Sequence, residues 1–124
     1  MVDVPIVNEI NLRKNPKSNK FIQLEVDGNP YLRFIRPDNL EYHSEILFNT
    51  LLNEFGILPK FDGGRKTLSK GKRYQLVGIG KFRKDDEKIF LYGNSWEYPV
   101  APDKDHAAEV SRLTGLELIV EDYS

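Results

Sequence analysis

The stretch from Asp38 to Gly56 most limits the possible folds of this chain, because it carries helix signals at both ends. Asp38 and Glu41 have the spacing of a capping box, in which each residue caps the backbone of the other. Gly56 stands where a helix C-cap is expected. Apolar residues recur at helical spacing between these ends: Ile46, Leu47, Leu51, Leu52 and Phe55. Such a helix buries one face, so a second layer must cover it.

Alternating patterns elsewhere predict strands. The period of two in Phe21–Val26 indicates a half-buried strand, and Tyr31–Arg36 follows a run of turn-forming residues as its hairpin partner. Further strands are predicted over Ile57–Phe61, Arg73–Ile79, Lys88–Tyr92 and Leu116–Glu121, and a second helix over Asp103–Leu113. The order β-β-α-β-β-β-α-β predicts a single α+β domain, residues 1–124, whose sheet is covered by two helices. Residues 1–19 are interpreted as an irregular lead-in.

Composition excludes several classes of function. The chain has 124 residues, with 18 Lys and Arg against 19 Asp and Glu. That balance argues against a general nucleic-acid or membrane-surface role, which needs a basic excess. The absence of cysteine excludes disulfide scaffolds, zinc–thiolate sites and cysteine nucleophiles. The start does not resemble a signal peptide and no apolar run has membrane length, so we expect a cytoplasmic protein.

The common enzyme templates are missing from the chain. Neither His43 nor His106 has metal-ligand spacing, and there is no phosphate loop, dinucleotide-binding turn or nucleophile elbow. Asp85-Asp86 is flanked by lysines, which favours a solvated hairpin tip over a divalent-cation site. We therefore expect neither a metal nor a cofactor.

His43 is the first candidate for chemistry. With Asp38 as cap, His43 lies in the first turn or so of the first helix, where the helix dipole disfavours the protonated ring. A neutral imidazole can accept a proton, and the unpaired N–H groups of a helix start suit an anion. A lone histidine at a helix start is also commonly a surface or capping residue, and the pattern alone leaves both readings open.

Several short segments, taken together, resemble the phosphohistidine phosphatase/janus family of small, cysteine-independent protein-histidine phosphatases. They are Lys20–Ile22, Glu41–Ile46, Gly63–Arg65, Ile89–Ser95 and His106. The resemblance runs from about Lys20 to the C-terminus. It implies a mixed sheet flanked by two helices, a monomer, and hydrolysis of phosphohistidine in protein substrates without a metal.

The resemblance also implies the residues of a site. The catalytic histidine of the family falls on His43, within Glu41-Tyr42-His43. The residues that correspond to substrate and phosphate binding are Lys20, Arg36, Arg65, Ser95, Trp96 and Glu97. Around Ser95, the hydroxyl and neighbouring backbone amides are expected to hold the phosphoryl oxygens.

Two departures from the family pattern affect this expectation. Residues 66–88 form a longer segment than the family has, which we interpret as an extended hairpin that shades the pocket or binds a partner. Glu97 stands where the family has a small residue, and its carboxylate would repel phosphate. We expect the Glu97 side chain to point away, with only its backbone N–H used.

More than one function is consistent with these residues. In the favoured hypothesis, His43 is the general base that activates water for attack on phosphorus; as a nucleophile it would instead form a transient phospho-enzyme. The alternative from another class is a phosphate-binding or phosphoprotein-interaction module with the same fold and no turnover. A nucleic-acid binder would need a basic face, which the charge balance disfavours.

Overall fold

Two antiparallel hairpins and one parallel return strand build the sheet. The computed structural model describes residues 4–8, 19–35, 43–57, 73–93 and 101–121. Its elements are β1 (Lys20–Val26), β2 (Asn29–Phe34), α1 (His43–Phe55), β3 (Tyr74–Asp85), β4 (Lys88–Tyr92), α2 (Lys104–Thr114) and β5 (Glu117–Val120). The strand order is β2-β1-β3-β4-β5, antiparallel throughout except between β4 and β5. This mixed sheet with two helices confirms the predicted α+β class.

The hairpin of β1 and β2 follows from its turn residues. Asp27 and Gly28 both have positive φ, at 51° and 82°. Positive φ at both central positions defines a type I′ turn, whose twist matches that of the flanking strands, and Asp-Gly is a preferred sequence for it. The turn sets Val26 opposite Asn29. The hairpin predicted from the sequence is confirmed.

β3 is longer than the predicted strand Arg73–Ile79. It continues past Ile79 to Asp85, and the turn to β4 is Asp86-Glu87. A Cβ at Gly78 would lie 2.9 Å from the backbone nitrogen of Asp103, so glycine lets the start of α2 approach the strand. Residues 73–88 of the segment interpreted as an extended hairpin therefore include a central strand, paired with β1 as well as β4.

The first helix ends as predicted, at Phe55, followed by Gly56 with a φ of 66°. Ile57 is not in a strand: its N–H donates to the carbonyl of Leu51 at 2.8 Å, which closes the C-terminal end of α1. Residues 58–61 of that predicted strand lie outside the described residues, as do Asp38 and Glu41 of the capping box. The order of the described elements thus matches the prediction, and the predicted strand Ile57–Phe61 is tested only at Ile57.

Local capping explains the second helix. The Asp103 side chain accepts a hydrogen bond from the His106 N–H at 2.8 Å, and Gly115, with a φ of 79°, donates to the carbonyl of Ser111. The helix runs from Lys104 to Thr114, within a residue of the predicted bounds.

The two helices cover opposite faces of the sheet. Gln23, opposite Leu32 in the β1–β2 ladder, bonds the backbone of Asp103 at the start of α2. Arg33, the neighbour of Leu32, bonds Glu54 in the last turn of α1. Successive side chains of a strand point to opposite faces, so α1 and α2 lie on different sides. Apolar side chains from both helices are buried against the sheet, among them Leu47, Leu51, Ala107 and Val110.

Candidate functional site

Lys20, Lys81 and Tyr92 form one cross-strand row, at the level where β1 begins and β4 ends. Lys20 of β1 lies opposite Lys81 of β3, and Lys81 lies opposite Tyr92 of β4. Directly opposed residues of antiparallel strands project from the same face, and neighbouring strands lie about 4.8 Å apart. Two lysines and a tyrosine therefore share one face within about 10 Å of sheet width. We call this set the basic row.

Two segments that the sequence analysis selected follow directly after strands β2 and β4, beside the basic row. β2 ends at Phe34, and the next residue, Ile35, donates its N–H to the carbonyl of Lys20 at 2.9 Å. β4 ends at Tyr92, followed by Gly93 with a φ of 80°. The described chain thus stops beside Lys20 just before Arg36, and beside Lys81 just before the segment that contains Ser95.

Most of the predicted site residues fall outside the part of the chain that the structure describes. These are Arg36, Arg65, Ser95, Trp96 and Glu97, together with residues 66–72 of the long segment. Of the predicted residues, Lys20 is described in full and His43 by its backbone alone.

His43 is the first residue of α1, and α1 covers the face that carries the basic row. Ile22 lies two residues after Lys20 in β1, so both side chains project from one face. Arg33 lies opposite Ile22 and bonds Glu54 of α1. The helix that begins at His43 and the lysines of the basic row therefore lie on the same side of the sheet.

Lys81 is a basic residue that the sequence analysis did not select. It is half-buried, and its side chain makes no ion pair or hydrogen bond with another described residue. Its neighbour Gly80 allows a close approach of the Tyr92 carbonyl, which a Cβ at that position would meet. Glycines in a strand signal such close approaches. That signal was present in the sequence as Gly78-Ile79-Gly80-Lys81.

No protein-family model, curated protein or solved structure matches this chain. The resemblance to the phosphohistidine phosphatases therefore depends on the sequence segments quoted above, and the geometry of the basic row is a separate observation.

His106, which the resemblance also included, has a structural environment in α2. It is 5% exposed, and its Nε2 lies 3.0 Å from the carbonyl oxygen of Leu24, which can only accept a hydrogen bond. The Asp103 N–H donates to Oε1 of Gln23, so the amide NH₂ of Gln23 faces Nδ1 of His106 at 3.3 Å. With Nε2–H donating and Nδ1 accepting, the ring is neutral. Burial lowers the pKa of His106, partly offset by the bond to Leu24 and by nearby carboxylates.

A cleft of about 410 Å³ lies beside His106, and its charged side chains are acidic. Its charged lining residues are Glu25, Asp103, Asp105 and Glu109. Asp103 already caps α2, and Glu109 pairs with Arg112. No three metal-ligating side chains among the described residues are arranged to hold a metal ion. An acidic cleft does not suit a phosphoryl group, so the basic row remains the candidate site.

We expect the stability of the protein to fall as the pH drops below about 6.5, the ordinary pKa of an unfolded histidine. The pKa of His106 is lowered in the folded state, so the unfolded chain binds its proton first. Stability from the neutral ring is complete above that pH and is lost as pH falls toward the folded pKa. Urea unfolding at a series of pH values measures this, and a slope that persists unchanged in His106→Gln would contradict it.

One finding concerns membranes. No helix in the described ranges is long and apolar enough to span a bilayer.

Proposed function

We propose that this protein is a protein-histidine phosphatase that hydrolyses the P–N bond of phosphohistidine, acting as a cytoplasmic monomer. The observation that carries the proposal is the basic row on the sheet face covered by the helix that begins at His43. A phosphoryl group needs positive charge and donors on one side and a base or nucleophile on the other. The row supplies the charge, and the start of α1 supplies the imidazole.

In the proposed reaction, His43 takes a proton from water while the water oxygen forms a bond to phosphorus. The P–N bond breaks in line with this attack, and the leaving imidazole nitrogen of the substrate takes up a proton. Lys20 and Lys81 hold the charged phosphoryl oxygens, and we assign Ser95 and the amides of the following residues to the remaining oxygens. Because the transition state of phosphoryl transfer is loose, positioning and charge do most of the work.

Hydrolysis of phosphoramidate by the purified protein, followed as phosphate release, tests this proposal. We expect turnover that is unchanged by a chelator, because the proposed chemistry uses side chains of this chain alone. Turnover that the chelator abolishes and added zinc or magnesium restores would contradict the metal-free mechanism. Phosphate binding at the basic row without turnover would instead support the non-catalytic binding module.

Lys20→Ala and Lys81→Ala should each raise KM more than they lower kcat. A charge-assisted hydrogen bond is worth about 1.5–3 kcal/mol, which corresponds to roughly a 10- to 150-fold change in affinity for the dianion. Contacts made equally in the ground and transition states act on KM. Lys84→Ala is the matched control, because it removes the same charge from an exposed position of β3 that lies three residues from Lys81 and so projects from the opposite face. If all three variants change KM equally, the row does not bind the substrate.

A further inference from the structure

Residues 4–8, which precede the family-like part of the chain, lie along the outer edge of β2. Leu32 donates its N–H to the carbonyl of Ile6 at 2.8 Å, and Val7 forms a parallel bridge with Leu32. The side chain of Asn8 then makes both bonds of a strand residue with Phe34: Oδ1 accepts from its N–H at 2.7 Å and Nδ2 donates to its carbonyl at 2.9 Å. The segment thus completes the hydrogen bonding of an edge strand.

Arg33 ties this segment to α1. Its side chain is almost fully buried, and all five of its N–H groups have acceptors. Its Nε donates to Oε2 of Glu54 at 2.8 Å, and its Nη2 donates to Oε1 of the same carboxylate at 3.0 Å. The others bond the carbonyls of Pro5 at 2.6 Å, and of Ile6 and Leu32 at 2.9 Å each. One guanidinium therefore joins the N-terminal segment, β2 and the last turn of α1.

The segment is attached to the rest of the fold at Phe34 and, through Arg33, at Glu54. Phe34 lies next to the basic row in sequence and space, and Glu54 lies in the same helix as His43. Phe34, held by Asn8, precedes Ile35, whose N–H bonds the carbonyl of Lys20. Glu54, held by Arg33, belongs to the helix that starts at His43. A helix moves as a rigid element, so a shift at Glu54 is transmitted about 17 Å along its axis to His43.

We propose that residues 4–8 act as a brace that positions Lys20 and α1 for the reaction, with Asn8 and Arg33 as positioning residues. This inference rests on the proposed function. Catalysis is far more sensitive than folding to such a shift, because a displacement of about 1 Å can cost about 100-fold in rate. Ile6 and Val7 of the segment pack against the core, but Asn8 does not belong to it, so a substitution at Asn8 removes the polar bonds and leaves the apolar contacts in place.

The test compares Asn8→Ala with Asp103→Ala. The first removes the side-chain bonds to Phe34, and the second removes the N-cap of α2 on the other face of the sheet. We expect Asn8→Ala to lower kcat for phosphoramidate at least tenfold, and Asp103→Ala to leave kcat within twofold at a temperature where both are folded. Asn8→Asp, which keeps the acceptor for the Phe34 N–H, should restore part of the loss. Equal kcat values in Asn8→Ala and wild type would overturn the proposal.

Hydrogen exchange provides a readout that does not depend on turnover. In Asn8→Ala, the Ile35 amide and the amides of α1 should exchange faster than in wild type and in Asp103→Ala. If wild type does not hydrolyse phosphoramidate, the proposed function fails, and the exchange rates alone decide whether the brace exists. Unchanged exchange at Ile35 and α1 would refute the brace even in an active enzyme. If Asn8→Ala does not fold, Asn8→Asp takes its place in both measurements with smaller effects of the same sign expected, because it loses only the bond from Nδ2 to the Phe34 carbonyl.

Discussion

Replacement of His43 by alanine should lower the turnover of phosphoramidate by about 10²–10⁴-fold, the usual contribution of a general base. The expected loss is in kcat, because the imidazole acts on the attacking water and the lysines of the basic row still bind the phosphoryl group. The helix should remain, since its buried contacts are made by later residues such as Ile46, Leu47 and Leu51. Steady-state phosphate release measures the rate, and circular dichroism checks the helix.

The second histidine of the chain is the matched control for this result. His106→Gln should lower the melting temperature, because His106 is buried and bonded to Leu24 and Gln23, and should leave kcat unchanged where the variant is folded. A His43→Ala variant that keeps more than about a tenth of the wild-type rate would exclude His43 as the base. Quenching turnover with an alkaline denaturant, which preserves a P–N bond, separates the two roles of His43, because only a nucleophile carries phosphate on the protein.

Removal of the Glu54 carboxylate should cost about 3 kcal/mol of unfolding free energy, near the lower end of the range for breaking a buried ion pair. Glu54→Ala leaves Nε of Arg33 and one Nη2 hydrogen without acceptors, while the guanidinium stays buried. The lower end applies because the Glu54 side chain is 24% exposed, so water screens part of the interaction. Urea denaturation of the variant and wild type at neutral pH gives the difference.

Glu109→Ala on α2 is the control for Glu54→Ala. Glu109 pairs with Arg112 in the same carboxylate–guanidinium chemistry, but both side chains are well exposed, and such surface pairs contribute little to stability. If Glu54→Ala and Glu109→Ala lose the same stability, the buried position of Arg33 has no energetic consequence, and the proposed brace loses its anchor on α1.

Much of the local structure could be predicted because its causes lie within a few residues of one another. The cap from Asp103 to the His106 N–H, the positive φ of Gly115 and the Asp27-Gly28 turn all involve neighbours in sequence. The length of β3 could not be predicted in the same way. The predicted strand ended at Ile79, and only the pairing of residues 81–85 with β4 shows that it continues to Asp85.

The residues of the candidate site divide in the same way, into those selected from local sequence and those that only the tertiary structure places. His43 and Lys20 were selected from short sequence segments, and the capping box at Asp38 placed His43 in the first turn or so of the first helix. Lys81 was not selected, because its relation to Lys20 and Tyr92 depends on the registers of β1 with β3 and of β3 with β4. A register joins residues far apart in the chain, so no local pattern contains it.

Arg33 is the clearest example of a residue whose environment could not be predicted from the sequence. By itself the sequence determined two hairpins, two helices and a cysteine-free α+β domain, since these depend on periodicity, turn chemistry and residue type. An arginine in a strand is expected to be exposed, because burying a charge without partners costs a large amount of free energy. Only the tertiary structure brings Glu54, Pro5 and Ile6 to its guanidinium, and those acceptors make its burial possible.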